Sequence, residues 1–281
     1  MTSERDQRIL LDELETYYDA VPRGGARAEV FGPLTLFVRE GNGWPYYARP
    51  SLGWNGAPGA PVTAAEVERV RARQRELGVP ESFEWVAETT PWLRGPVEET
   101  GLVTHEHPLM VLDPALAPRP DVRARIIGPG EREALAGALA VPYIAFAEPG
   151  TAVGTAGAAE LAATVREQRG DGTVDRMAER IRTGLSTVAV VVEDGQTVSS
   201  GQHQPVGGVT EIVGVGTLPD ARRRGLGRAV TAALVADATA RGIGTIFLSA
   251  GDDDVARLYA TLGFRRVGTA VIAEPSPWRT V

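Results

Sequence analysis

Between residues 187 and 273 strand-forming and helix-forming stretches alternate, and this alternation limits the fold more than any other feature of the chain. Residues 187–193 are a nearly continuous β-branched run, as expected of a strand buried on both faces. Asp194-Gly195 reads as a hairpin turn, and 196–204 and 210–217 as further strands. Residues 229–241 read as a helix, with Val230, Leu234 and Ala238 at helical spacing and Gly242 near its end. A strand at 245–249, a helix at 252–262 and a last strand at 266–273 complete the pattern. Strands interleaved with helices predict an α/β sheet containing at least one parallel pair.

Upstream, 122–127 reads as a strand, and 131–140, 158–169 and 174–183 as helices around a small-residue loop at 150–157. Residues 113–121 hold three prolines, which deny both helix and central strand. We therefore expect a first domain at 1–112, a linker at 113–121 and a second domain at 122–281. In the first half, 4–19, 62–77 and 92–100 read as helices, and 28–38, 44–48, 82–88 and 102–112 as strands, with a Gly/Pro-rich loop at 53–61. The order helix–strand–helix–strand of 62–112 repeats that of 230–273. Both copies open on Val-Thr-Ala-Ala and carry a glycine, Gly101 or Gly263, before the last strand. A diverged internal duplication would account for this, and a chance match of Val-Thr-Ala-Ala is the alternative.

The chain has no cysteine, which removes disulfides, a thiol nucleophile and thiolate zinc sites, and it fits a reducing cytoplasmic setting. Its first residues are charged and lack the apolar core of a signal peptide, and no apolar run spans a membrane. The net charge of −7 gives no general support for nucleic-acid binding. Neither a nucleic acid nor a membrane is an expected partner.

Against that acidic background, Arg222-Arg223-Arg224-Gly225-Leu226-Gly227-Arg228 joins a strand to a helix. The first N–H groups of a helix lack internal partners and lie at the positive end of its dipole, which makes an anion site. Gly225 and Gly227 leave room for a phosphate, and Arg222, Arg223, Arg224 and Arg228 add charge. Neither a Gly-x-x-x-x-Gly-Lys-Ser/Thr loop nor a Gly-x-Gly-x-x-Gly with its downstream acid is present. Taken alone, the turn could equally be an ordinary glycine turn beside exposed arginines.

Its context narrows the choice. Arg222-x-x-Gly225-x-Gly227 after Thr217-Leu218-Pro219, followed by Asp252-Asp-Asp-Val-Ala-Arg-Leu-Tyr259-Ala-Thr-Leu-Gly263-Phe264, resembles the GNAT superfamily of N-acetyltransferases. The resemblance covers roughly residues 122–274. It implies a mixed, largely antiparallel sheet with helices on both faces and a splayed parallel strand pair, in two tandem GNAT-like domains of which the first has lost its own cofactor turn. It implies acetyl-CoA as cosubstrate and no metal. Pantetheine would pair with backbone groups of Val215 and Thr217, and the pyrophosphate with N–H groups of Arg223 to Arg228. A backbone N–H near Val215 would hold the oxyanion, and an amine would attack the thioester directly.

Glu211, eleven residues before Arg222, resembles the family's general base, or it is a solvent-facing charge at a strand start. Tyr259 stands at the position of the general-acid tyrosine, or it is a half-buried aromatic beside Leu258 and Leu262. Asp252 replaces an asparagine that contacts the cofactor in many relatives, which favours helix capping instead.

The expected acceptor is a small, cationic molecule with a primary amine, its specificity set by residues 141–157 and by the first half. A longer acyl donor, or a non-catalytic acyl-CoA sensor or scaffold, stays open, as does a homodimer. His105 and His107 share a strand face that a metal could use, although a polar face explains them as well. His203 reads as an acceptor contact or a surface-strand residue. Trp44, Tyr46, Tyr47, Trp54, Trp85 and Trp92 read as core packing, or as an aromatic groove.

Overall fold

A computed structural model describes residues 4–41, 43–54 and 62–276. Most of the Gly/Pro-rich loop expected at 53–61 therefore lies outside the described residues. The chain divides into two compact units: residues up to Leu109 together with the segment from Val267 onward, and Met110–Arg266.

The first unit starts with α1 (Glu4–Arg23) and the hairpin β1 (Ala26–Phe31) and β2 (Leu34–Arg39). The sequence reading drew one strand across this region. Phe31 instead pairs with Leu34 over a two-residue turn whose Gly32 adopts φ 66°, a conformation that favours glycine. Next come β3 (Ala48–Pro50), later than expected, α2 (Ala64–Leu77), β4 (Phe83–Val86), α3 (Arg94–Glu99) and β5 (Leu102–Leu112). Strand β2 pairs antiparallel with β3, and β3 meets β4 in parallel. The core gathers Leu34, Leu36, Val67, Phe83, Trp85 and Val97.

The last strand, β11 (Phe264–Pro275), pairs antiparallel with β4 from Ala270↔Val86 to Ala273↔Phe83, and its Val271 joins the same core. From Val267 onward it belongs to the first unit, not to the second domain that the prolines at 113–121 suggested. The first of those prolines opens a short 3₁₀ turn, Pro114–Leu116, capped by the Asp113 side chain.

The second unit holds β6 (Ala124–Ile127), α4 (Arg132–Ala147), α5 (Ala158–Glu167), α6 (Thr173–Arg182), β7 (Thr187–Glu193), β8 (Gln196–Val206), β9 (Val209–Thr217), α7 (Leu226–Ala240), β10 (Thr245–Ser249) and α8 (Asp253–Ala260). Strands β6 to β9 are antiparallel neighbours in chain order, and β10 joins β9 in parallel. This is the mixed, largely antiparallel sheet with one parallel pair that the resemblance implied. The repeated order is also present, as α2–β4–α3–β5 and α7–β10–α8–β11.

Helix α4 continues seven residues beyond the expected end at 140, through Pro142. Proline removes one N–H and leaves the carbonyl four residues earlier without its helical donor. That carbonyl, on Ala138, accepts from Ser200 Oγ of β8 at 2.8 Å. The distant serine compensates for the proline, so the helix does not stop. Among the described residues no helix is long and apolar enough to cross a membrane.

Candidate active site

The site is built where β9 and β10 part. Their parallel pairing runs Thr245↔Val209, Ile246↔Thr210, Phe247↔Glu211 and then ends, although β9 continues to Thr217. The cause lies on the other edge of β9. Against β8 the register jumps from Ser200↔Gly216 to Gln202↔Val213, so one residue of β8 faces two of β9. Gly214 supplies the kink with φ 63°. A bulge of this kind bends and twists its strand, here away from β10. The backbone of β9 around Val215 is thereby released from its parallel neighbour.

Helix α7 is aimed at the same place. The sequence reading began it at 229, but it starts at Leu226 on Gly225, whose φ of 75° only glycine adopts easily. Arg223, at φ 64°, gives the turn a second left-handed residue and an unusual, strained one. Gly227 and Arg228 thus lie in the first helical turn, where N–H groups have no internal acceptor. The first turn sits against β9: a Cβ on Gly227 would lie 3.6 Å from Thr217 Oγ1 and 3.8 Å from Val215 Cγ1. Thr217 is itself oriented by Ser199 Oγ at 2.9 Å. The residues expected to hold an acyl-CoA, Val215, Thr217 and the turn through Arg228, therefore meet, and the N–H-rich, Cβ-poor turn suits a pyrophosphate.

The arginine side chains are used differently from the expectation of a free positive cluster. Arg222 donates to the carbonyls of Ala145, Glu148 and Ala152 at 2.9, 2.6 and 3.2 Å. Arg224 forms a bidentate pair with Glu193 at 2.6 and 2.8 Å. Arg228 donates to Thr261 Oγ1 at 2.5 Å, and Arg223 is exposed. Non-local carbonyls and a carboxylate compete for guanidinium donors, and the local motif does not reveal them. Arg123, which the sequence reading passed over, donates to the carbonyl of Arg224 at 2.9 Å and braces the turn.

Tyr259 of α8 is 8% exposed and packs edge-to-face on Phe264, 5.9 Å between ring centres. Burial pushes its phenol up to about 12, against the downward pull of a hydrogen bond with Thr231. Thr231, one turn into α7, donates to the Gly227 carbonyl at 2.9 Å. The phenol is thus tied to the first turn of α7. Glu211 is half-buried on β9 at the point of divergence. Asp252 caps α8 by accepting from Val255 N at 2.8 Å, as the substitution for asparagine suggested. Asp254 pairs with Arg257, and Asp253 lies 3.8 Å from Arg266, so the acidic triplet is partly neutralised.

Other candidates fall elsewhere. His203 is neither at the surface nor free for an acceptor. It is fully buried, with Nε2 2.9 Å from Asp237 and Nδ1 3.0 Å from Thr210. His105 is exposed and Glu106 pairs with Arg94; no metal-binding group of three or more exists among the described residues. Trp85 is a core residue at 1% exposure, and Trp54 packs against Trp92 at 5.9 Å.

The first unit has a counterpart of the strand divergence, but it is filled. Its parallel contact is the single pair Ala48↔Phe83. The next residues, Arg49 and Glu84, close on each other as a buried ion pair at 2.5 Å, with the guanidinium 3.8 Å from the Tyr18 ring centre. Glu15, raised by burial, completes the cluster. Side chains occupy the gap that β9 and β10 leave open in the second unit.

Residues 157–264 match the model of the acetyltransferase (GNAT) family. Among solved structures, a GCN5-related N-acetyltransferase from Kribbella flavida superposes with a TM-score of 0.64 at 23% identity, over 95% of this chain and 96% of that one. A GCN5-related N-acetyltransferase-like protein from Streptococcus suis gives 0.54 at 15% identity, over 99% and 100%. A tandem GNAT protein from the clavulanic acid biosynthesis pathway gives 0.50 at 15%, over 88% and 80%. At these identities the structures establish a shared fold. No curated protein shows significant sequence similarity to this chain.

Proposed function

We propose, from the match of residues 157–264 to the acetyltransferase (GNAT) family model, that the chain is an acetyl-CoA-dependent N-acetyltransferase moving acetyl directly to a primary amine of a small, cationic acceptor. One observation supports this above the others: β9–β10 pairing ends at Glu211↔Phe247 beside the open N-terminus of α7. An extended pantetheine chain would add to the freed edge of β9 as a short strand, and the N–H groups of Arg223 to Arg228 would receive the pyrophosphate.

Glu211 takes the proton that the ammonium form of the acceptor must lose before it can attack. The amine nitrogen then adds to the thioester carbonyl carbon, and the backbone N–H of Val215 donates to the oxygen as it becomes an oxyanion. Collapse re-forms the carbonyl and breaks the carbon–sulfur bond, and the attacking nitrogen, made cationic by the addition, releases its second proton to water, leaving a neutral amide and a thiolate. Tyr259, whose raised pKa keeps it protonated at neutral pH, donates its proton to that sulfur. With no cysteine in the chain, no acyl-thioenzyme intervenes.

The test is a thiol-release screen with acetyl-CoA against aminoglycosides, polyamines, amino acids and peptide N-termini. Release of free CoA with a cationic amine, together with a mass gain of one acetyl group on that amine, is expected. Tight CoA binding with no thiol released by any amine would replace this reading with an acyl-CoA sensor.

A further inference from the structure

Arg222 opens the anion-binding turn, yet its guanidinium is spent elsewhere. Its three acceptors, the carbonyls of Ala145, Glu148 and Ala152, lie at and just beyond the C-terminal end of α4. The last carbonyls of a helix lack internal donors and sit at the negative end of the dipole, so a guanidinium there satisfies both. Arg222 does not act alone. Gly154 N donates to Pro219 O at 2.9 Å, and Asp220 N to Ala156 O at 3.1 Å. The two strips are pressed together: a Cβ on Gly154 would lie 2.8 Å from Pro219 Cβ, and one on Gly157 would lie 1.9 Å from Asp220 Oδ2. Segment 145–157 is thus stitched to the back of the turn whose front offers N–H groups to a phosphate.

The same segment borders the reaction centre. A Cβ on Gly216 would lie 3.1 Å from Ala145 Cβ and 3.3 Å from Pro142 Cα, so the end of α4 lies directly over the β9 bulge that presents Val215. Building on the acyl-CoA reading above, we propose that Arg222 is a positioning residue that couples occupancy of the turn to the order of segment 145–157, the wall of the acceptor site. A pyrophosphate that fixes the turn also fixes Arg222 and the paired strip. It thereby lowers the local opening of 145–157, and by linkage an acceptor held by that wall strengthens donor binding.

Hydrogen–deuterium exchange of the full chain with and without CoA tests this. In the wild type, CoA slows exchange in 222–230, and in 145–157 by about tenfold. In Arg222→Gln, CoA still slows 222–230, because the backbone N–H groups remain, but the slowing of 145–157 shrinks below about twofold. Calorimetry gives a CoA Kd within about threefold of wild type, since the lost donors do not touch the ligand. Should the glutamine variant not fold, Arg222→Lys gives the same readouts, because an ammonium cannot span three carbonyls as the planar fork does. Equal slowing of 145–157 in wild type and variant overturns the coupling, as does slowing confined to 222–230 in the wild type. If CoA leaves 222–230 unchanged in the wild type, the acyl-CoA reading itself fails, and the coupling with it.

Discussion

Glu211 of β9 is the last residue to face β10, opposite Phe247, before the two strands separate. That position puts a carboxylate at the vertex of the opening, on the strand whose bulge presents Val215. Replacement by glutamine keeps the shape and removes the proposed base. We expect Glu211→Gln to lower kcat about a hundredfold in steady-state thiol release, with the CoA Kd unchanged. An unchanged kcat would assign Glu211 to the sheet alone.

Tyr259→Phe should slow thiol release about a hundredfold while leaving CoA affinity intact. The phenol, pushed up to about 12, stays protonated through the neutral range. The wild-type kcat should therefore show no loss from Tyr259 ionisation as pH rises to about 10. A fall in kcat below that pH that disappears in Tyr259→Phe would mean that the phenol ionises earlier than its burial implies.

Much of the fold was legible because local chemistry determined it. Residues 187–193, 245–249 and 102–112 are bounded by turn-forming residues or glycines and match β7, β10 and β5 residue for residue. The Arg222–Gly227 turn was legible as a strand-to-helix junction, and it lies between β9 and α7. What stayed hidden depends on distant partners. Helix α4 passes Pro142 because Ser200 serves the freed carbonyl of Ala138. His203 is buried because Asp237 and Thr210 take both ring nitrogens. The last strand joins the first unit through pairing with β4, nearly two hundred positions earlier in the chain. No residue type or period in these segments announces such contacts.

His203 links stability to pH. Burial holds its imidazole below the ordinary range, against the upward pull of Asp237. The unfolded chain binds the proton near pH ~6.5, while the folded chain resists it. Stability is therefore full above pH ~6.5 and falls as the pH drops through the lowered folded pKa. Chemical denaturation between pH 5 and pH 8 should show this slope, and His203→Gln should flatten it. An identical slope in the variant would shift the cause to another group.

Gly263 is fixed by two constraints. Its φ is 88°, and a Cβ there would lie 2.5 Å from the Leu116 carbonyl oxygen. Left-handed backbone alone costs roughly 1–2 kcal/mol in a non-glycine residue, and the clash is with backbone that cannot swing away. Gly263→Ala should lower unfolding free energy by more than about 2 kcal/mol in urea titration. A loss under half that size would mean that the Pro114–Leu116 turn yields easily.

The proposed acyl-CoA site is single and lies in the second unit, its counterpart in the first being closed by Arg49 and Glu84. Calorimetric titration of CoA into the wild type and Gly227→Glu tests it most directly. Glutamate is welcome in the first turn of a helix, so the fold should persist, while its carboxylate opposes a pyrophosphate at the same N–H groups. One CoA per chain is expected in the wild type, with a loss of affinity of at least about a hundredfold in the variant. Two CoA per chain, or unchanged affinity in Gly227→Glu, would contradict it.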